Sequence, residues 1–163
     1  SKGNTGGNGV EMPCFSMSQP FVSLLLNGIK TVETRNNPMF SDLEPGTRIL
    51  LHCGFKDWRD QDAPRRELQK AGFTDEEIKK YSALPKGFSK GGIVGVLTVG
   101  KTWKSTAYER DDEDLQRKVV ASADDMGVYC TEISNPQWFK RSVKARGSPG
   151  IYSATVPKSS LSS

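Results

Sequence analysis

The run GGIVGVLTVGKTW, Gly91 to Trp103, limits the fold most tightly, because it places four glycines inside an otherwise β-branched and apolar stretch. Val and Ile favour a pleated strand, while glycines within a strand mark bulges and sharp bends, as the corners of a small closed barrel require. These glycines match no phosphate-binding fingerprint, which needs a strand-to-helix context. Four further stretches read as strands: KTVETR at Lys30 to Arg35, TRILLHCG at Thr47 to Gly54, GVYCTEI at Gly127 to Ile133 and GIYSATVP at Gly150 to Pro157. Short non-local strands with helices between them predict an α+β domain, a small β-barrel with helices inserted between its strands.

The helical segments are fewer. In MSQPFVSLLLNG, Ser18 is placed to cap, Pro20 suits the first turn and Gly28 suits a left-handed stop. Residues Trp58 to Tyr81 form a charged, helix-rich insert expected to pack on the outside, with TDEE at Thr74 to Glu77 as a capping box. ERDDEDLQRKVV, Glu109 to Val120, reads as a helix with a solvated face.

With 163 residues, of which 35% are hydrophobic and 26% charged, the chain suits one domain over residues 10–157. Residues 1–9 read as a Gly/Asn tail and 158–163 as a flexible one. No window approaches the roughly eighteen consecutive apolar residues of a membrane span, and no signal pattern opens the chain. The expectation is an intracellular monomer, cytoplasmic or nuclear, without membrane contact. Cys14, Cys53 and Cys130 are odd in number and widely spaced, which predicts reduced thiols rather than disulfides or zinc ligands. No metal and no cofactor is expected. A net charge of +4 permits a polyanionic partner without requiring one.

Where the first helix ends, charges begin: Lys30, Glu33 and Arg35 arrive within six residues. In an extended chain Thr31, Glu33 and Arg35 share one face, and Val32 and Thr34 the other. Two readings are open. One is an exposed ion pair worth about 0 to 1 kcal/mol. The other is a lined pocket, in which Lys and Arg donate to phosphate or carbonyl oxygens and Glu accepts from an amine. His52, the only histidine, is a strand residue with few partners for a metal site or a catalytic triad. In NPQWFKRSVKARG, Trp138 precedes Lys140, Arg141, Lys144 and Arg146, a loop in which an aromatic face for stacking sits beside cations for a nucleic-acid backbone. The competing reading makes the aromatics core and the cations a solvated loop.

Ser16 to Pro20 (S-M-S-Q-P) and Gly28 to Arg35 (G-I-K-T-V-E-T-R) resemble the S-x-x-Q-P and G-x-K-x-x-E-x-R signatures of the ASCH domain family, which has the PUA-like fold. ISNPQWF at Ile133 to Phe139 further resembles the EOLA-like branch. The resemblance spans about Cys14 to Pro157 and implies a PUA-like barrel with a cleft where the Q-P helix meets the K-x-x-E-x-R strand. Ser16, Gln19, Pro20, Lys30, Thr31, Glu33, Arg35 and His52 would line it. It also implies binding of RNA or a modified nucleotide. One bacterial branch removes the acetyl group of N4-acetylcytidine, using a Lys and a Thr in G-x-K-T-x-T-x-R. Here that Lys is Lys30, but the catalytic Thr position holds Glu33, a departure that would leave Lys30 and Glu33 as the catalytic pair. A third expectation, from the coactivator branch, is a protein-interaction module using the Trp58 to Tyr81 insert.

Overall fold

A computed structural model describes residues 8–162. In chain order the elements are β1 (Gly9–Met17), α1 (Phe21–Leu26), β2 (Val32–Arg35), β3 (Thr47–Cys53), α2 (Asp62–Lys70), α3 (Asp75–Tyr81), β4 (Gly92–Lys104), α4 (Ala107–Arg110), α5 (Glu113–Val119), β5 (Tyr129–Lys144) and β6 (Tyr152–Pro157). The strands form one six-stranded sheet in the order β2-β5-β4-β3-β1-β6. All ladders are antiparallel except β1 with β3, where Ser16 lies opposite His52. No helix among the described residues is long and apolar enough to cross a membrane.

The α+β reading holds, but closure of the sheet does not. β2 and β6 are its edges, and no ladder joins them among the described residues. The reason lies at β2, where α5 occupies the side that closure would use. Thr31 N–H donates to the Lys118 carbonyl at 2.9 Å and Lys30 Nζ to the Val119 carbonyl at 2.6 Å. A covered edge has no row of groups left to offer another strand.

Glycine in β4 works as its sequence suggests. The β4–β5 register shifts between Ile93 and Gly95, Val96 and Thr98, and Val99 and Thr102. A Cβ on Gly95 would lie 2.6 Å from the Gln137 carbonyl oxygen and 2.7 Å from Leu26 Cδ2. The bare backbone there lets α1 settle onto the sheet. α1 is apolar on nearly all sides and buries Val22 to Leu26. One face joins Phe15, Ile49, Leu51 and Leu97 in the main core. Leu24 on the other side meets Leu68 of α2, Ile78 of α3 and Val120. The insert thus packs over α1 from outside, as expected, and Thr74 and Glu77 form the capping box.

Three local expectations are corrected. The Ser18 side chain does not cap α1. Its carbonyl accepts from Phe21 N–H at 3.1 Å, while Gln19 Oε1 accepts from Ser23 N–H at 3.0 Å, so the longer side chain serves the helix start. The 109–120 helix is two helices, because Asp112 Oδ1 accepts from Asp114 N–H and starts α5 anew. Residues 138–144 are not a loop: they continue β5, whose hydrogen bonds to β4 reach Lys144 opposite Gly92.

At the termini, Gly9 already pairs with Pro157, and Lys158–Leu161 form a 3-10 turn with Leu161 packed near Cys14, Leu50 and Val156. An apolar leucine with a core to reach explains why the chain does not leave the fold at Pro157. The rest of the proposed amino-terminal tail, residues 1–7, lies outside the described residues.

Gly95→Ala is expected to destabilise the protein by roughly 1–3 kcal/mol, the usual cost of overpacking. Urea unfolding checks this, and a change within about 0.5 kcal/mol would show that α1 does not rest on this position.

Candidate functional site

The row of charges after α1 is buried, which removes the surface-pair reading. Lys30 is 3% exposed and Glu33 4%. Gly28, at φ +74, ends the helix, and Ile29 and Lys30 N–H both donate to the Leu24 carbonyl, so the chain passes into β2 through a short, hydrogen-bonded turn. That tight passage puts the Lys30 side chain inside.

Lys30 Nζ donates to the Val119 carbonyl at 2.6 Å, lies 3.4 Å from Glu33 Oε1, and stands 5.1 Å from the centre of the Phe21 ring. Glu33 Oε2 accepts from Arg35 Nε at 2.7 Å. One carboxylate therefore bridges two cations, and an aromatic face completes the environment of the first. Val119 can accept because α5 ends there. Val120 takes left-handed angles (φ 58, ψ 48), leaving the Val119 carbonyl without a partner in its own helix. For a buried β-branched residue that conformation is strained, by about 1–3 kcal/mol.

Burial lowers the Lys30 pKa below its ordinary 10.5, and this outweighs the opposing pull of Glu33. The competition between neighbouring carboxylate and desolvation thus falls on the side of desolvation.

These groups line a cavity of about 330 Å³. Lys30, Glu33, Thr34 and Arg35 supply one side, Ser16, Phe21 and Trp58 another, and Val119, Asp125 and Gly127 a third. Phe21 and Trp58 meet edge to face, 5.5 Å between ring centres. Trp58 N–H donates to the Gln19 carbonyl at 2.8 Å, which ties its loop to the start of α1. Gly127 N–H donates to Thr34 Oγ1 at 2.8 Å, and a Cβ on Gly127 would lie 2.5 Å from the Arg35 carbonyl carbon. Only glycine allows this loop so close to β2.

Of the residues expected in the cleft, Ser16, Lys30, Glu33 and Arg35 come together around the cavity. Gln19 and Pro20 are buried beside it as the start of α1. Thr31 faces away: its backbone bonds Lys118 and Ile133, and its side chain is outside the cavity. His52 is buried behind Ser16, its Nδ1 2.8 Å from Ser16 Oγ. Trp138 is half-buried: its Nε1–H donates to Asn27 Oδ1 and its ring stands perpendicular to Phe88. Phe139 is core. Lys140, Arg141, Lys144 and Arg146 are exposed on and just beyond β5. Sequence reasoning misses Phe21, Trp58, Asp125 and Gly127 as cavity residues. Phe21 stands inside the Q-P-F motif and is within its reach. The others come from loops that only the fold brings to β2.

No family model matches the chain. Solved structures that are similar to it include two of one bacterial protein. The ASCH protein of Zymomonas mobilis is 13% identical over 81% of this chain and 72% of that one, with a TM-score of 0.46. A serine-to-alanine variant of the Zymomonas mobilis protein is 12% identical over 91% and 89%, with a TM-score of 0.47. Both are ASCH domains, the class that the motifs of this chain resemble. Neither shows the EOLA-like branch.

Because the folded state holds the Lys30 proton less tightly than the unfolded chain, the unfolded chain binds more protons between the lowered pKa and 10.5, and stability rises with pH there. Burial raises the thiols of Cys14 and Cys53 from 9.0 to about 11, which lowers stability as pH climbs through that range. The Lys30 contribution is therefore read as a difference. Wild type is expected to gain on Lys30→Met as pH rises from 7 towards 10.5, by about 1.4 kcal/mol per unit of lowering. A difference that stays flat in chemical denaturation across this range would mean that Lys30 is not desolvated.

Proposed function

We propose that this chain is a nucleotide-binding domain of ASCH type whose cavity admits a nucleobase or modified nucleoside. The observation that carries this reading is the buried Lys30–Glu33 pair, continued by the half-buried Arg35, on a cavity of about 330 Å³ that Phe21 and Trp58 also line. That volume is at the small end of ligand pockets, the size class of a single base with its sugar. Aromatic edges suit a flat ring, Glu33 keeps lone pairs for an exocyclic amine, and Arg35, whose side chain is 30% exposed, is placed to reach a carbonyl or phosphate oxygen. Exposed Lys140, Arg141, Lys144 and Arg146 would then hold flanking phosphates of an RNA. Membership of the EOLA-like branch belongs to the same reading and rests on ISNPQWF.

A second reading, hydrolysis of an N4-acyl cytidine, is favoured by one observation. Desolvation lowers the Lys30 pKa, which moves its amine towards use as a base. Glu33, in the place of the threonine of that branch, would then orient water.

Calorimetry with cytidine, N4-acetylcytidine and a single-stranded RNA, with products read by mass spectrometry, separates the two. Binding of a nucleoside is expected, weakened about tenfold or more by Arg35→Ala, since a charge-assisted hydrogen bond is worth roughly 1.5–3 kcal/mol. For RNA, Arg141→Ala should lower the salt slope by about 1. No binding of any of the three, or an Arg35→Ala protein that binds as wild type does, would overturn the reading. Release of acetate lost in Lys30→Met would establish the second.

A further inference from the structure

We infer that Ser16 and His52 form a nucleophile and base pair that opens into the cavity and acts on a carboxylic ester or amide of the bound molecule. The inference rests on the reading of the cavity as a ligand site. Its evidence is separate from the Lys30 row.

Ser16 and His52 face each other as register partners on the adjacent parallel strands β1 and β3. Ser16 Oγ lies 2.8 Å from His52 Nδ1, and His52 Nε2 lies 2.8 Å from the Ala145 carbonyl oxygen. A carbonyl oxygen only accepts, so Nε2 carries the proton in the neutral ring. Nδ1 is then the acceptor, and the Ser16 hydroxyl donates to it. This is the arrangement that nucleophilic catalysis requires: a hydroxyl bonded to a base whose other nitrogen is held by a third group. Here a backbone carbonyl takes the orienting role that a carboxylate takes in a Ser-His-Asp triad.

Access follows the same logic. His52 is 2% exposed, whereas Ser16 lines the cavity. Two glycines flank the hydroxyl. A Cβ on Gly147 would lie 3.2 Å from Ser16 Oγ and 2.8 Å from His52 Cε1, and one on Gly54 would lie 3.6 Å from Ser16 Oγ. A side chain at Gly147 would crowd the pair, whereas a Cβ at Gly54 would make ordinary contact.

The chemistry balances without a further reagent. Ser16 Oγ bonds to the acyl carbon while Nδ1 takes its proton, the bond from that carbon to nitrogen or oxygen breaks, and the leaving group takes the proton. Water then cleaves the acyl-Ser16 ester, releasing the carboxylic acid and restoring the hydroxyl.

The test is labelling of the intact protein with an alkyl fluorophosphonate, which forms a Ser Oγ–P bond as the P–F bond breaks and hydrogen fluoride leaves. The expected result is a single added phosphonyl group, mapped by tandem mass spectrometry to Ser16. Its rate should exceed that of the exposed Ser89 and Ser153 and fall at least about 100-fold in His52→Gln. Circular dichroism establishes that the variant is folded, and the comparison among serines within wild type stands whether or not it is. Labelling of Ser16 no faster than the exposed serines, or at an equal rate in folded His52→Gln, would overturn the inference. The probe carries no nucleobase, so its outcome is independent of which nucleoside the cavity binds.

Discussion

Taking an ammonium out of water costs several kcal/mol, and the region around the cavity is organised by how that cost is offset for Lys30. Three groups offset it together, namely a carbonyl at the end of α5, a carboxylate on β2 and the face of Phe21 on α1. Each comes from a different element, so one side chain joins three pieces of the fold. Removing Glu33 would leave an unpaired buried cation, and removing Lys30 would leave Glu33 with Arg35 as its only ionic partner. The left-handed Val120 belongs to the same constraint. Its strain is sustained because it ends α5 where the Val119 carbonyl is needed, and because Val120 itself is packed against Leu24, Leu68 and Ile78.

The same contact decides the shape of the sheet. β1 and β2 are four ladders apart, yet residues from both line one cavity of about 330 Å³, so the sheet must curl strongly. The bulges along β4 and β5 supply the curvature, since each adds local twist and bends its strand. Gly95 lets α1 sit inside the curl. With α5 taking the edge of β2, the sheet stops short of closure and the gap is lined by charge and aromatic groups. An unclosed seam is where such a domain has side chains free of ladder geometry.

Much of this is legible in the chain. Strands announce themselves by β-branched runs, α1 by Pro20 and Gly28, and α3 by Thr74 and Glu77. The Lys30, Glu33 and Arg35 grouping is visible as well, but its burial is not, because alternation along a strand gives faces and not which face a helix will cover. The far end of β5 escapes a local reading since Asn135-Pro136 looks like a turn. Asn135 does adopt φ 48, but as an irregularity within a strand that resumes beyond it. Trp138 next to cations suggests a stacking platform. The partners of its ring, Asn27 and Phe88, lie far away in sequence and no local rule reaches them. Asp125 and Gly127 are invisible for a similar reason: their meaning depends on the loop after α5 meeting β2.

Two of the cavity's walls are chemically different, and they are anchored independently. On one, Lys30 is fixed by α5 through the Val119 carbonyl, and Glu33 bridges it to Arg35. On the other, Ser16 and His52 are fixed by β1, β3 and the Ala145 carbonyl, and Ala145 N–H in turn donates to the Gly91 carbonyl at 3.2 Å. No hydrogen bond joins the two walls among the described residues. The charges of Lys30, Glu33 and Arg35 stand on the β2 side of the cavity, and Asp125 adds a carboxylate from the loop after α5. The Ser16–His52 side is held by the hydrogen bonds of the His52 ring to Ser16 Oγ and to the Ala145 carbonyl. A small change in the curl of the sheet alters the distance between the walls while leaving every bond within each wall intact.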